Sequence, residues 1–232
     1  MKKKGFTLAE VLITLVIIGI IAAITIPIVH NNHQKRELYS KFMKTYSTLN
    51  QAMNMSFALG NAPTGVDFYA LDGNKTNAQQ FLDTYIRPYV NVIGVKSCLG
   101  IGESDTPYKD LTGNVFATAC QLQSSANISD ALILSDGTAI AVVGQGFENF
   151  VQIIVDVNAS KGPNTMGRDI NVFRYWGKMA KPMITGCAHN GNGEFDESYY
   201  SNNCNPQKSG SGGTVSGDAC ADRLLREGRM NY

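Results

Sequence analysis

An unbroken apolar run over residues 6–29 limits what this chain can become. It is 24 residues long and holds a single charge, Glu10. About 20 apolar residues cross a bilayer as one helix, so this run is long enough to span. Lys2, Lys3 and Lys4 stand just before it. Basic residues flanking a span stay on the cytoplasmic side, which would place the rest of the chain beyond the inner membrane. A cleaved secretory signal fits poorly, because its apolar core is usually only about 7–15 residues. Glu10 is the odd member of the run. A carboxylate at the centre of a span costs roughly 2.5–3.5 kcal/mol, so it calls for a partner. Its place near the start of the helix, where the helix dipole is positive, lowers that cost.

The helix is expected to continue past the span. Leu38, Phe42, Leu49, Met53 and Phe57 recur at helical spacing and form one apolar face. Lys35, Arg36, Glu37, Lys41 and Lys44 fall on other faces. Gly60, Asn61, Ala62 and Pro63 end the pattern. A helix over residues 6–59 would be about 80 Å long at 1.5 Å per residue. Pro27 lacks a backbone donor, so a kink or local melt is expected over residues 23–27. Gly19, Ala22 and Ala23 are small enough for close helix approach.

About 170 residues remain for one domain with its own core. Residues 79–92 read as a short helix broken at Pro88, and residues 95–120 as glycine-rich loop. Residues 131–135 and 138–143, joined by Asp136-Gly137, read as a hairpin with a two-residue turn. Residues 150–157 and 170–176 supply two more strands. Consecutive strands on short links favour an antiparallel sheet. The expected fold class is therefore α+β, a long N-terminal helix packed on a small antiparallel sheet.

There are five cysteines: Cys98, Cys120, Cys187, Cys204 and Cys220. None forms a CxxC pair, which argues against structural zinc and for disulfides in an exported domain. Cys98–Cys120 and Cys204–Cys220 are the preferred pairs, each closing a compact loop. The odd thiol is then free, intermolecular or reduced.

The start of the chain carries a resemblance. Gly5 after three lysines, then Phe6, Thr7, Leu8, Ala9 and Glu10, resembles the class III signal of type IV pilins and type II secretion pseudopilins. The resemblance implies cleavage after Gly5 by a prepilin peptidase and N-methylation of the new first residue, Phe6. It implies that Glu10 pairs with the N-terminal amine of a neighbouring subunit. Pro27 matches a helix-bending proline of the family, and the head would be pilin-like. A chain ending in Gly-x-Met-Asn-Tyr, as here at residues 228–232, is also found in this prepilin-like group. The domain plan is then a leader at 1–5, a long helix at 6–59 with its span at 6–29, and a disulfide-looped head at 60–232.

Pairing of the amine with Glu10 also makes physical sense, since each charge is costly alone in a dry bundle and tolerable opposite the other. Loss of residues 1–5 removes three of the 20 basic residues against 19 acidic ones, taking the net charge from +1 to −2. So near-neutral a chain offers no field for nucleic acid.

Asp156, Asn158, Gly162, Pro163, Asn164, Gly167 and Asp169 resemble the DxNG…GPN…GxD loop of some pseudopilin-like proteins. Oxygen ligands at alternate positions suit calcium, with Asp156, Asn158 and Asp169 as ligands. The competing reading is a turn in which Asp and Asn side chains bond the backbone. Residues 190–197 repeat the same choice between turn and calcium. His30, His33 and His189 lie far apart in the pattern, and no GxSxG, HExxH or phosphate loop is present. The chain reads as a non-enzyme with no required cofactor. The expected function is a structural filament subunit whose partners are copies of itself, other pilin-like subunits, the prepilin peptidase, and an assembly platform with its ATPase. The alternative is a single-pass anchored protein, binding calcium or carbohydrate, that does not polymerise.

Overall fold

The computed structural model describes residues 5, 7–61, 75–97, 107–118, 128–145, 150–159, 161–176, 184–189, 194–208 and 215–232. The leader lysines, Phe6, Cys98 and Cys120 lie outside the described residues. The chain divides into two units, Met1–Glu37 and Leu38–Tyr232. One helix, α1 (Leu8–Ala58), contributes to both.

The first unit is the apolar part of α1. Its large side chains are all exposed, from Leu8 at 80% to Val29 at 66%. An 18-residue window reaches a mean hydropathy of 2.9 with none of it buried, so the helix is long and apolar enough to cross a membrane. Of the kink or local melt expected near Pro27, the melt is not found: residues 23–27 are helical and α1 runs through the proline. Proline removes one donor, but the surrounding turns keep their bonds. The Thr25 hydroxyl also donates to the Ile21 carbonyl at 2.9 Å.

The second unit, the head, is built on a six-stranded antiparallel sheet in the order β1-β4-β5-β6-β7-β8. Its strands are β1 (Val92–Lys96), β4 (Ala131–Leu134), β5 (Ala139–Gln145), β6 (Phe150–Asp156), β7 (Ile170–Trp176) and β8 (Ile184–Gly186). A separate two-stranded ribbon joins β2 (Pro107–Lys109) to β3 (Val115–Thr118). Alternate side chains leave the sheet on opposite faces. Leu132, Ile140, Val142, Ile153, Phe173 and Tyr175 point to one core, where they meet Leu38, Phe42, Leu49 and Met53 of α1. Phe42 and Phe173 stack with ring centres 5.5 Å apart. Ile133, Ala141, Ile154 and Val172 point the other way, into a second core closed by Tyr108, Ile128 and Met166. Burial on both faces explains why these strands read as continuous apolar runs.

Several sequence expectations are corrected. The β4–β5 turn has three residues, Ser135, Asp136 and Gly137, because Leu134 N–H donates to the Thr138 carbonyl and Gly137 N–H to that of Leu134. Among them only Gly137 has a positive φ, 85°, as a type I turn closed by a left-handed glycine requires. The short helix begins early, as α2 (Lys75–Phe81), passes through a π turn at Leu82–Ile86, and ends in a 3-10 turn at Arg87–Tyr89 that carries Pro88. Residues 92–96, expected to be helix end and loop, form the edge strand β1. Two further helices close the head, α3 (Glu197–Asn203) and α4 (Cys220–Glu227).

Candidate functional site

Helix α1 starts on a capping box. The Thr7 hydroxyl oxygen accepts from Glu10 N–H at 3.3 Å. In return Glu10 Oε2 accepts from Thr7 N–H and from the Thr7 hydroxyl, each at 2.8 Å. The first turn of a helix has four N–H groups without intrahelical acceptors, and this exchange satisfies two backbone donors, those of Thr7 and Glu10. Glu10 also complements the positive end of the helix dipole. The carboxylate singled out by its position in the span thus has a partner in its own chain. That partner is legible in the sequence as Thr-x-x-Glu before an apolar run. Gly5 and Glu10 are among the described residues, and Phe6 is not.

The loop after β6 brings Asp156, Asn158 and Asp169 together. Asp156 and Asp169 are both fully buried. The Asp169 carboxylate accepts from Asn164 N–H and Thr165 N–H, each at 2.7 Å. Asp156 accepts from Asn158 N–H and from the Tyr108 hydroxyl, both at 3.1 Å. Burial pushes the Asp156 carboxyl well above the usual range, and the nearby Asp169 carboxylate adds to the shift. Asp169 is raised by burial too, against the pull of its backbone donors. These oxygens are engaged by N–H and O–H groups that organise the turn. Among the described residues no three His, Cys, Asp or Glu side chains converge as a metal site. Ala159 sits at φ 50°, where the DxNG pattern has glycine.

Cys204 and Cys220 form a disulfide with Cα atoms 4.8 Å apart, as the sequence indicated. Cys187 is a buried free thiol, and burial raises its pKa. A polar network invisible in the sequence surrounds this region. Asp222 accepts from Ala188 N–H at 2.7 Å and lies 3.1 Å from His189 Nδ1. Gly186 of β8 faces this carboxylate so closely that a Cβ there would overlap it. Arg174 lies over the rings of Phe150 and Tyr199 and donates to the His189 carbonyl at 3.3 Å. Beside β8 a cleft of about 380 Å³ opens between Tyr46, Ile184, Phe195, Leu225 and Arg226.

Comparison with known proteins agrees with the first turn of α1. Residues 1–26 match the family described as the prokaryotic N-terminal methylation motif. Over 94 residues the chain is 37% identical to the fimbrial protein EcpB of Eikenella corrodens. That match covers 40% of this chain and 57% of the relative, so the chain spans little more than half the length of the curated protein it matches. No solved structure matches. The chain carries a class III prepilin signal, and the similarity supports a type IV pilin-like structural subunit.

Proposed function

We propose that this chain is a polymerising subunit of a type IV filament, cut after Gly5 by a prepilin peptidase and methylated at Phe6. The observation that carries the reading is the exposed apolar half of α1, which starts with a carboxylate in its first turn. Nothing among the described residues buries those side chains. A bilayer covers them before assembly and neighbouring helices cover them afterwards, so their burial is kept throughout.

Glu10 has one oxygen, Oε2, committed to Thr7. The other is offered to the cationic N-terminal amine of an adjacent subunit, and that contact sets the stagger between copies. The head lies outside the cytoplasm, and an assembly platform with its ATPase moves the subunit out of the membrane. The relative's description as a fimbrial protein favours a surface fibre over a periplasmic one.

Intact mass and N-terminal sequencing of the protein from its native membrane test the processing step. The expected chain begins at N-methylated Phe6. A chain that keeps Met1 in cells with active prepilin peptidase would overturn the reading and leave an anchored, non-polymerising head.

A further inference from the structure

The apolar part of α1 gives way abruptly to polar residues. Residues 8–29 rise about 33 Å as a helix at 1.5 Å per residue, close to the roughly 30 Å of hydrocarbon in a bilayer. Residues 30–36 follow without an apolar side chain among them. A span that fills the hydrocarbon therefore puts His30 and His33 at the level of the lipid headgroups.

An open groove of about 390 Å³ crosses this boundary, lined by Thr25, Ile26, Val29, His30 and His33. Ile26 and Val29 are three residues apart, as are His30 and His33, so each pair shares one side of the helix. The groove is apolar at one end and imidazole at the other. Both imidazoles stand exposed, and among the described residues neither is bonded or ion-paired. A neutral or a protonated imidazole carries a ring N–H, so each can donate to an anionic oxygen. Residues 11–36 hold no Asp or Glu to repel an anion, and Lys35 adds a fixed cation at this level. Glu37, one turn beyond His33, already has a partner within the chain.

We infer that the groove holds one phospholipid of the surrounding bilayer, its phosphate on His30 and His33 and its acyl chain along Ile26 and Val29. This rests on the membrane stage of the filament reading and names a lipid contact for that stage. A soluble anion would leave the two aliphatic side chains uncovered, and a purely apolar occupant would leave both imidazoles without an acceptor. A phospholipid joins the two chemistries in the order in which the helix presents them. A headgroup of net negative charge, such as phosphatidylglycerol, fits best, because the basic side chain of Lys35 stands at the same depth.

The test uses the full chain, reconstituted into lipid nanodiscs of equal phosphatidylcholine and phosphatidylglycerol. Lipids that stay on the chain after gentle detergent release are counted by native mass spectrometry. The expected result is one phosphatidylglycerol per chain, retained on the order of tenfold over phosphatidylcholine. His30→Ala combined with His33→Ala should lose that preference. Asn31→Ala combined with Asn32→Ala, at the same depth but outside the groove, should keep it. Equal retention of the two lipids, or an unchanged preference in the histidine variant, overturns the site and leaves the membrane stage standing. Displacement of the lipid by millimolar glycerol phosphate also overturns it, since the groove would then hold a soluble anion. A chain that alkaline carbonate strips from vesicles overturns both the site and the membrane reading.

Discussion

The Tyr199 hydroxyl donates to Asp218 Oδ2 at 2.6 Å inside the head. Asp218 is only 9% exposed, and burial lifts its pKa from an ordinary 3.8 to about 6, against the pull of Tyr199 and Arg174. A carboxyl raised in the folded state favours folding while it is protonated. Its contribution is fully present below about pH 4 and is lost as pH rises through about 6. Asp218→Asn keeps an acceptor for Tyr199 and removes the buried charge. We expect it to stabilise the head at pH 7 by about 1–3 kcal/mol and to flatten melting temperature between pH 4 and 6. Thermal unfolding across that range checks both.

Glu10 caps its own helix, and in the proposed filament it also offers its charge to a neighbour; the two roles separate by mutation. Glutamine serves equally well at the third position of a capping box. Glu10→Gln should therefore keep membrane insertion and the first turn of α1 but lose most of the sheared polymer. Thr7→Ala should fray the start of the helix, at a cost of about 1 kcal/mol, with the charge retained. Wild-type polymer yield from Glu10→Gln would reduce the role of Glu10 to capping.

Gly186 leaves the space that the Asp222 carboxylate fills. That carboxylate holds the Ala188 N–H and faces His189. Gly186→Ala must displace it and strand a buried charge. We expect a loss of about 2–4 kcal/mol in head stability, read as a drop in melting temperature. An unchanged melting curve would mean that β8 shifts freely, against its pairing to Phe173, Arg174 and Tyr175.

In the loop joining β6 to β7 the carboxylates accept from backbone N–H groups, and we propose that the loop closes on these bonds alone. Melting curves in EDTA and in millimolar calcium are expected to coincide. A rise with calcium that vanishes in Asp169→Asn would show instead that an ion displaces the Asn164 and Thr165 amides.

The parts legible in the sequence were those set by local pattern. The apolar run, the helical repeat of Leu38 through Met53, and the strands around Ile133, Ile153 and Phe173 each announce themselves by period or by run length. The Cys204–Cys220 bridge was legible from its short separation. Strand β8 was not, because three residues carry no period. Its place depends on Gly186 meeting Asp222, 36 positions away. Strand β1 was hidden by Gly94 and by the bulge at Ile93, which break alternation. The carboxylates of Asp156 and Asp169 were found by their motif, but only the fold shows that Tyr108 and backbone amides occupy them. At the candidate assembly site Glu10 stood out by position, and Thr7 was equally legible, as the first member of a Thr-x-x-Glu capping box before an apolar run.

Helix α1 is one element under two kinds of selection. Past Leu38 its inward residues answer to the sheet they cover, and an unfit change there is exposed by the molecule's own melting curve. Before that point residues such as Ile17 and Ile24 stand exposed, at 51% and 61%. In the proposed filament a change there is judged by lipid and by other copies. Each such position must satisfy a fluid solvent and a packed one in turn. On that reading variation along residues 8–29 would record the history of the assembly, and variation along residues 38–58 that of the head.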